Sequence, residues 1–129
     1  MVDAGWRVFA TVRKPEDGSK LRSTFGADLG VVIMDVTDRN TIIAAAEDVS
    51  SQVQGRGLDG LVNVAGVGLM RPVEYATAGE LQEIFDINVF GQIAVTQAFL
   101  PMIRKARGRI VNISSVGAHI ASDTLFQGG

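Results

Sequence analysis

Four short apolar runs separated by helical patterns constrain the fold of this chain more than any other feature. The runs cover residues 7–12, 30–34, 58–64 and 109–114. Such continuous apolar runs are typical of strands that are covered on both faces, as in parallel sheets. Strands that alternate with helices predict βαβ units. The sequence therefore predicts one α/β domain with a doubly wound parallel sheet.

The segments between the runs predict three helices. A short helix is expected over 20–25, after a loop over 15–19, with Gly26 as its stop. A second helix is expected over 39–54, capped by Thr37 or Asp38.

The third predicted helix is long. It begins at Thr77, and Pro101 is expected to kink or interrupt it near its end. Asn88 falls on its apolar face, where an amide is costly to bury without partners.

Composition excludes several functional classes. The chain has 129 residues, a net charge of −2, no cysteine and one histidine, which disfavours a metal site. The charge gives no basic surface for nucleic acid, and no apolar run reaches the ~20 residues that span a bilayer. The first seven residues lack the pattern of a signal peptide, so we expect a cytoplasmic protein.

Several polar or small residues follow the predicted strands, where open α/β sheets bind ligands. Asn63 lies at the end of the third run and Ala65 and Gly66 follow it, with an ordinary strand-to-loop turn as the competing interpretation. Asp35 and Val36 follow the second run, and Asp35 could equally cap a turn or helix.

Arg13 and Ser115 complete this set of candidates. An arginine after a strand of a dinucleotide-binding fold accommodates a 2′-phosphate, so Arg13 favours NADP(H) over NAD. A solvated basic pair with Lys14 is the alternative. Ser115 ends a buried strand, and such a serine pair is commonly structural.

Taken together, these motifs resemble the middle of a short-chain dehydrogenase/reductase. The resemblance rests on Leu-Val-Asn-Val-Ala-Gly at 61–66, Asn-Val-Phe-Gly at 88–91 and Ile-Val-Asn-Ile-Ser-Ser at 110–115. Val64 departs from the family's Asn-Asn-Ala-Gly pattern. The sequences of residues 59–63 and 106–115 look most like those of members that act on steroids, retinoids and similar hydrophobic alcohols.

The resemblance implies a role for each candidate. Ser115 would orient the substrate oxygen and Asn88 would support a proton relay, either directly or by satisfying backbone groups at a helix irregularity. The cofactor, NADP or alternatively NAD, would be lined by six residues: Arg13, Asp35, Val36, Asn63, Ala65 and Gly66. The activity implied is oxidation of a hydrophobic alcohol or reduction of a ketone, in a homo-oligomer joined through the long helix.

The resemblance also implies that residues 1–129 form only the central part of one NAD(P)-binding Rossmann-like domain. The first strand with its Gly-rich turn is not found, and a Tyr-x-x-x-Lys motif is not found after Ser115, although 127–129 resemble the residues just ahead of that tyrosine. With the strand order 3-2-1-4-5-6, two strand pairs would then face a gap. A non-catalytic fragment or a partner-binding pseudo-enzyme is therefore the alternative function.

Overall fold

In the part of the chain that the structure describes, four parallel strands form two separate pairs. The computed structural model describes residues 4–26, 29–69 and 72–115. Its strands all lie inside the predicted runs and are β1 Phe9–Val12, β2 Gly30–Ile33, β3 Gly60–Asn63 and β4 Arg109–Asn112. β1 pairs with β2 and β3 pairs with β4, both in parallel. No hydrogen-bonded ladder joins the two pairs within the described ranges, so the predicted gap is confirmed.

Within the described residues, four helices accompany the strands. They are α1 Pro15–Phe25, α2 Arg39–Val53, α3 Ala78–Phe85 and α4 Gln92–Ala106, with a 3-10 turn at Val73–Tyr75 and a π-helical turn at Asp86–Gly91. The predicted long helix is therefore α3 and α4 joined by the π turn.

Local side chains explain where two of these helices begin. The carboxylate of Asp38 accepts a hydrogen bond from the Asn40 N–H at the start of α2. Thr77 and Glu80 form a reciprocal capping box at the start of α3.

The loop predicted over 15–19 is wrong, because α1 begins at Pro15. A proline at the first helical position has no N–H to leave unpaired, and its fixed φ suits a helix. Glu16 and Asp17 in the first turn add a favourable interaction with the helix dipole. The stop at Gly26 is confirmed, with a φ of 91°.

The interruption predicted at Pro101 does not occur, because α4 continues to Ala106. Pro101 is exposed, and so is Gln97, whose carbonyl would otherwise have accepted a hydrogen bond from residue 101. Water can satisfy that carbonyl, so the lost hydrogen bond costs less than it would in the core.

The core lies where α2 and α4 pack together over one face of the strands. Val49 of α2 is 1% exposed, and Val95 and Phe99 of α4 are 3% and 4% exposed. They form one cluster with Val32 of β2 and Met34 just beyond it. Burial of side chains of this size stabilises by ~1.5–3 kcal/mol each. This cluster joins the two strand pairs.

All four strands run in the same direction. Gly91, just before α4, lies against Val36 beyond the end of β2, and Gln92 bonds the carbonyl of Ala65 beyond the end of β3. At the opposite end, Leu58 donates its N–H to Met102 near the end of α4. The carboxyl ends of β2 and β3 therefore meet at the beginning of α4.

A cavity of about 660 Å³ separates β1 from β3, and we call it the interstrand slot. Residues of β1 and β3 line it, together with residues of the core, among them Val49, Val95 and Phe99. The sheet is thus divided into two pairs of strands, although α2 and α4 pack against each other beneath it.

The predictions for 116–129 lie outside the described residues. Within the part that the structure describes, no helix is long and apolar enough to cross a membrane.

We predict that Gly108→Ala destabilises the chain by about 1–3 kcal/mol, because an added methyl group has no room. A Cβ at this position would lie 2.7 Å from the Asp59 carbonyl oxygen and closer still to that of Leu58. Gly79→Ala is the matched control, since nothing lies within 4 Å of its added Cβ and alanine favours helix. Urea denaturation measures both, and equal midpoints would contradict the prediction.

Candidate functional site

The predicted site residues follow β1, β2, β3 and β4 at one edge of the molecule, which we call the carboxyl rim. It comprises Arg13, Asp35–Val36, Asn63–Gly66 and Ser115, together with Asn88 of the π turn. The common strand direction places these segments at the same edge, because each follows the carboxyl end of a strand.

Asp35 is held in a turn at the rim by its neighbours. Its Oδ1 accepts hydrogen bonds from the Thr37 N–H at 2.9 Å and from the Thr37 hydroxyl at 2.7 Å. The Thr41 hydroxyl accepts from the Asp35 N–H at 2.9 Å. The turn-capping interpretation of this aspartate is therefore observed. Its predicted contact with adenine stays a prediction.

Arg13 and Asp35 interact electrostatically across the first strand pair. The pKa of Asp35 is lowered chiefly by the hydrogen bonds from Thr37, and the positive charge of Arg13 adds a smaller effect. Burial opposes these effects on the pKa, and it outweighs the contribution of Arg13. The Arg13 side chain is exposed, so its guanidinium remains accessible to an anionic ligand.

The π turn contacts the ends of both strand pairs. A Cβ at Gly91 would lie 2.9 Å from the Val36 carbonyl oxygen, so only glycine allows this approach. The turn also reaches the other pair, because a Cβ at Gly66 would lie 3.4 Å from the Asn88 Oδ1. Val36 and Gly66 are thus positioned relative to each other through this turn.

Asn88 uses its amide to hold the loop that follows β3. Its Oδ1 accepts from the Val67 N–H and its Nδ2 donates to the Val67 carbonyl, both at 2.8 Å. The side chain thereby pairs both backbone polar groups of one loop residue. The role of Asn88 in a proton relay stays a prediction. In that role Asn88 would use the remaining hydrogen-bonding capacity of its amide, or the backbone of the π turn.

Asn63 directs its side chain into the protein. It is 6% exposed, and its Nδ2 donates to the Thr96 hydroxyl at 3.0 Å and to the Asn112 Oδ1 at 2.8 Å. These bonds connect β3 with α4 and β4. Its predicted contact with a cofactor stays a prediction and would use the backbone.

Ser115 follows β4 on the same edge as Ala65 and Gly66. Asn63 and Asn112 are opposite each other in the register, and the Ile113 N–H donates to the Asn63 carbonyl at 2.9 Å. Ser115 lies two residues beyond that bond and is exposed. Its backbone position suits contact with a ligand at the rim, whereas its role toward a substrate stays a prediction.

The sequence interpretation missed four residues that support the rim. Thr37 bonds Asp35, and Gln92 donates to the Ala65 carbonyl at 3.3 Å. Thr96 and Asn112 complete the interactions of Asn63. A usable signal existed for Asn112, since runs three and four both place asparagine after a valine. Gln92 lies four residues after Asn88, on the same helical face.

This arrangement suits a flat, anionic ligand at the carboxyl rim. Ala65 and Gly66 leave their backbone exposed and add little side-chain bulk. Arg13 supplies positive charge at one end, and Ser115 supplies a hydroxyl at the other. Within the described ranges, no cluster of three or more His, Asp or Glu side chains could hold a metal ion. The fold and this rim define a doubly wound α/β protein that suits a nucleotide.

Comparison with known proteins identifies the family. The model for short chain dehydrogenase matches residues 1–125, and the chain therefore belongs to the short-chain dehydrogenase family. It is similar to mouse retinol dehydrogenase 16, with 40% identity over 126 residues that cover 97% of this chain and 39% of that protein. The resemblance to members of the retinol dehydrogenase type is thus confirmed.

Solved structures show the same fold. A short-chain dehydrogenase from Streptomyces avermitilis matches with a TM-score of 0.81 and 35% identity, covering 93% of this chain and 44% of that one. An NADPH-bound carbonyl reductase from chicken fatty liver matches with a TM-score of 0.80 and 33% identity, covering 94% and 53%. The chain therefore spans about half or less of the proteins it matches.

We predict that Asn63→Ala destabilises the chain by about 1–3 kcal/mol, because it removes the hydrogen bonds that a buried amide makes to Thr96 and Asn112. The exposed Asn40→Ala is the control, since its side chain lies in solvent beside the cap of α2. Chemical denaturation compares the two variants. A loss for Asn63→Ala no greater than that for the control would show that the Thr96 and Asn112 contacts contribute little.

We also predict that Thr37→Ala raises the pKa of Asp35 toward its ordinary value of 3.8, because the hydroxyl donor is lost. Since the folded pKa is depressed, the ionised carboxylate stabilises the fold above pH 3.8, and this contribution is lost as pH falls through the folded pKa. NMR titration of the carboxyl carbon measures the shift. Arg13→Gln should raise the pKa less, and the reverse order would contradict this assignment.

Proposed function

We propose that this chain supplies the adenine side and the substrate-orienting side of an NAD(P)(H)-dependent oxidoreductase. The observation that carries the proposal is the convergence of Arg13, Ala65–Gly66 and Ser115 on one rim of a short-chain dehydrogenase fold. The expected reaction interconverts a hydrophobic alcohol and a ketone. Similarity to a mouse retinol dehydrogenase supports that substrate class.

NADP(H) is the proposed cofactor, and it would supply the hydride when bound. Arg13 would pair with the 2′-phosphate of the adenosine ribose, since an exposed guanidinium binds phosphate through two parallel hydrogen bonds. Asp35 and Val36 would border the adenine. The NADPH in the similar chicken carbonyl reductase supports this choice.

The substrate would be held at the other end of the rim. The Ser115 hydroxyl would donate to or accept from the substrate oxygen, which fixes the reacting carbon relative to the cofactor. Asn88 would act through the loop after β3, since both its amide groups hold the Val67 backbone. In this role Asn88 positions the rim, and Ser115 contacts the substrate.

A partner-binding role is the second candidate, favoured by an exposed apolar face on α3, the π turn and α4. This face presents five side chains that are 39–56% exposed: Leu81, Phe85, Val89, Phe90 and Ile93. Solvent-exposed apolar patches mark association surfaces. A second copy of the chain would bury this face, and a dimer that protects Phe85 and Phe90 would be its signature.

Nucleotide binding tests the first proposal in the chain as it stands. We expect adenosine 2′,5′-bisphosphate to bind more tightly than adenosine 5′-monophosphate, because only the former carries the group that Arg13 recognises. Arg13→Ala should reduce the ratio of the two affinities at least tenfold. Lys20→Ala should not reduce it, since Lys20 is exposed on α1 and paired with Asp17. Calorimetry measures both affinities. An unchanged preference in Arg13→Ala would contradict the assignment.

Substrate binding tests the other end of the rim. With NADP⁺ present, a hydrophobic alcohol should shift the amide resonances near Ser115, and Ser115→Ala should abolish that response while nucleotide binding remains. Ser114→Ala is the matched control. Binding is the readout, because the only tyrosine is Tyr75 and Gly79 stands where a Tyr-x-x-x-Lys motif needs lysine.

A further inference from the structure

We propose that the edge of the molecule opposite the carboxyl rim binds a short acidic segment of another protein. Six exposed basic residues lie at this edge, which we call the basic edge: Arg7, Arg56, Arg104, Lys105, Arg107 and Arg109. The proposal does not depend on the oxidoreductase function. It rests on the contacts that gather these residues, on side chains that the fold leaves without partners and on the distribution of charge.

Three segments that are distant in sequence bring the basic residues together. They precede β1, β3 and β4, so the common strand direction places them at the same edge. The loop after α2 packs on the end of α4, because a Cβ at Gly57 would lie only 2.5 Å from the Met102 carbonyl oxygen. Lys105 reaches back to this loop, since a Cβ at Gly55 would lie 3.4 Å from its Nζ.

Two of the six cations are held by the fold. The Arg7 guanidinium donates to the Gln52 carbonyl at 3.0 Å and thereby satisfies a carbonyl in the last turn of α2. The Arg109 Nη1 donates to the carbonyls of Arg107 and Gly108, at 3.1 and 3.3 Å. Local structure therefore explains Arg7 and Arg109.

The other four cations make no such contact. Among the described residues, the side chains of Arg56, Arg104, Lys105 and Arg107 form no hydrogen bond or ion pair. Arg104 and Lys105 lie in the last turn of α4, where a cation interacts favourably with the helix dipole. Arg56 lies in the loop beyond α2, and no contact within the described fold explains its charge.

Arg107 gives the clearest indication of a function outside the fold. Its φ is 53°, in the left-handed region, which costs free energy for a residue that has a Cβ. Glycine avoids this cost and is the common residue just past the end of a helix. The Arg107 side chain is exposed and makes no contact in the described fold that would offset the cost. An arginine at such a position indicates a contact with a partner.

The distribution of charge limits what this partner can be. Residues 6–8, 54–59 and 104–109 hold the six cations and one carboxylate, that of Asp59. The basic edge therefore carries +5, whereas the remainder of the chain carries −7. An extended anionic surface, such as a bilayer or a nucleic acid, would also come within a Debye length of ~8 Å of the acidic remainder and be repelled. A short acidic segment would contact the basic edge alone.

The size of the basic edge suits several carboxylates in sequence. The edge crosses the ends of two packed helices, and the axes of such helices lie ~8–10 Å apart. Side chains at alternate positions of an extended segment share one face and lie ~6.6–6.8 Å apart. Three alternate acidic residues would therefore span the edge. Five of the six cations are arginines, whose planar guanidinium binds a carboxylate through two parallel hydrogen bonds.

The test is binding of the full chain to the peptide Ser-Glu-Thr-Glu-Thr-Glu-Ser, capped at both ends, labelled with a fluorophore and followed by fluorescence anisotropy. The control peptide carries Gln in place of each Glu. We expect saturable binding of the Glu peptide, at least tenfold tighter than that of the Gln peptide, with an affinity that falls as salt rises, because exposed charge pairs are screened.

Arg107→Gly separates binding from folding. We expect it to raise the urea midpoint, because glycine adopts the left-handed conformation without strain. It should weaken binding of the Glu peptide about threefold, since one exposed charge pair is lost, and Arg56→Gln combined with it should weaken binding about tenfold. Arg39→Gln is the matched control and should leave the affinity unchanged, because it removes the same charge from the opposite end of α2.

Several results would overturn the proposal. Equal binding of the two peptides, or no saturable binding at millimolar peptide, would show that carboxylates are not recognised. A loss of affinity in Arg39→Gln as large as in Arg107→Gly would show that only net charge matters. A lower urea midpoint for Arg107→Gly would assign its side chain to the fold. Tighter binding to phosphatidylserine vesicles or to single-stranded DNA than to the Glu peptide would replace the acidic segment by another partner.

Discussion

The packing of α2 against α4 is the interaction on which the rest of this structure depends. No ladder connects β1 with β3 in the described part of the chain, so the two strand pairs have no direct backbone link. Val49 of α2 and Val95 and Phe99 of α4 close the core beneath both pairs. The relative position of Arg13 and Ser115, which belong to different pairs, is therefore fixed by side-chain packing.

The π turn adds a second connection at the rim itself. Gly91 lies against Val36 of the first pair, while Asn88 holds Val67 of the second. An extra residue in a helical turn moves the side chains that follow it, and here it lets one short segment contact both pairs. The polar groups of the π turn chiefly hold the rim in place, because the Asn88 amide is already hydrogen-bonded to the backbone. Chemistry at the rim would use groups that remain exposed, such as Arg13 and Ser115.

Much of the fold could be predicted from the sequence because strands and helices depend on local pattern. All four runs contain the observed strands, and the helix over 39–54 matches α2 closely, since Ile42, Ala45 and Val49 follow its buried face. Pro15 was misread because a proline both breaks and begins helices. The π turn was anticipated only as a possible irregularity, since i→i+5 bonding leaves no strong sequence pattern.

The site was predictable at the level of position and less so at the level of contacts. Residues after strand ends were expected to share one edge, and the parallel register places them there. The hydrogen-bond partners of Asn63 could not be predicted, because Thr96 and Asn112 are 33 and 49 residues away in sequence. Sequence spacing carries no information on such distant pairs. A buried asparagine at the end of a strand can therefore look like a ligand contact while its amide stabilises the core.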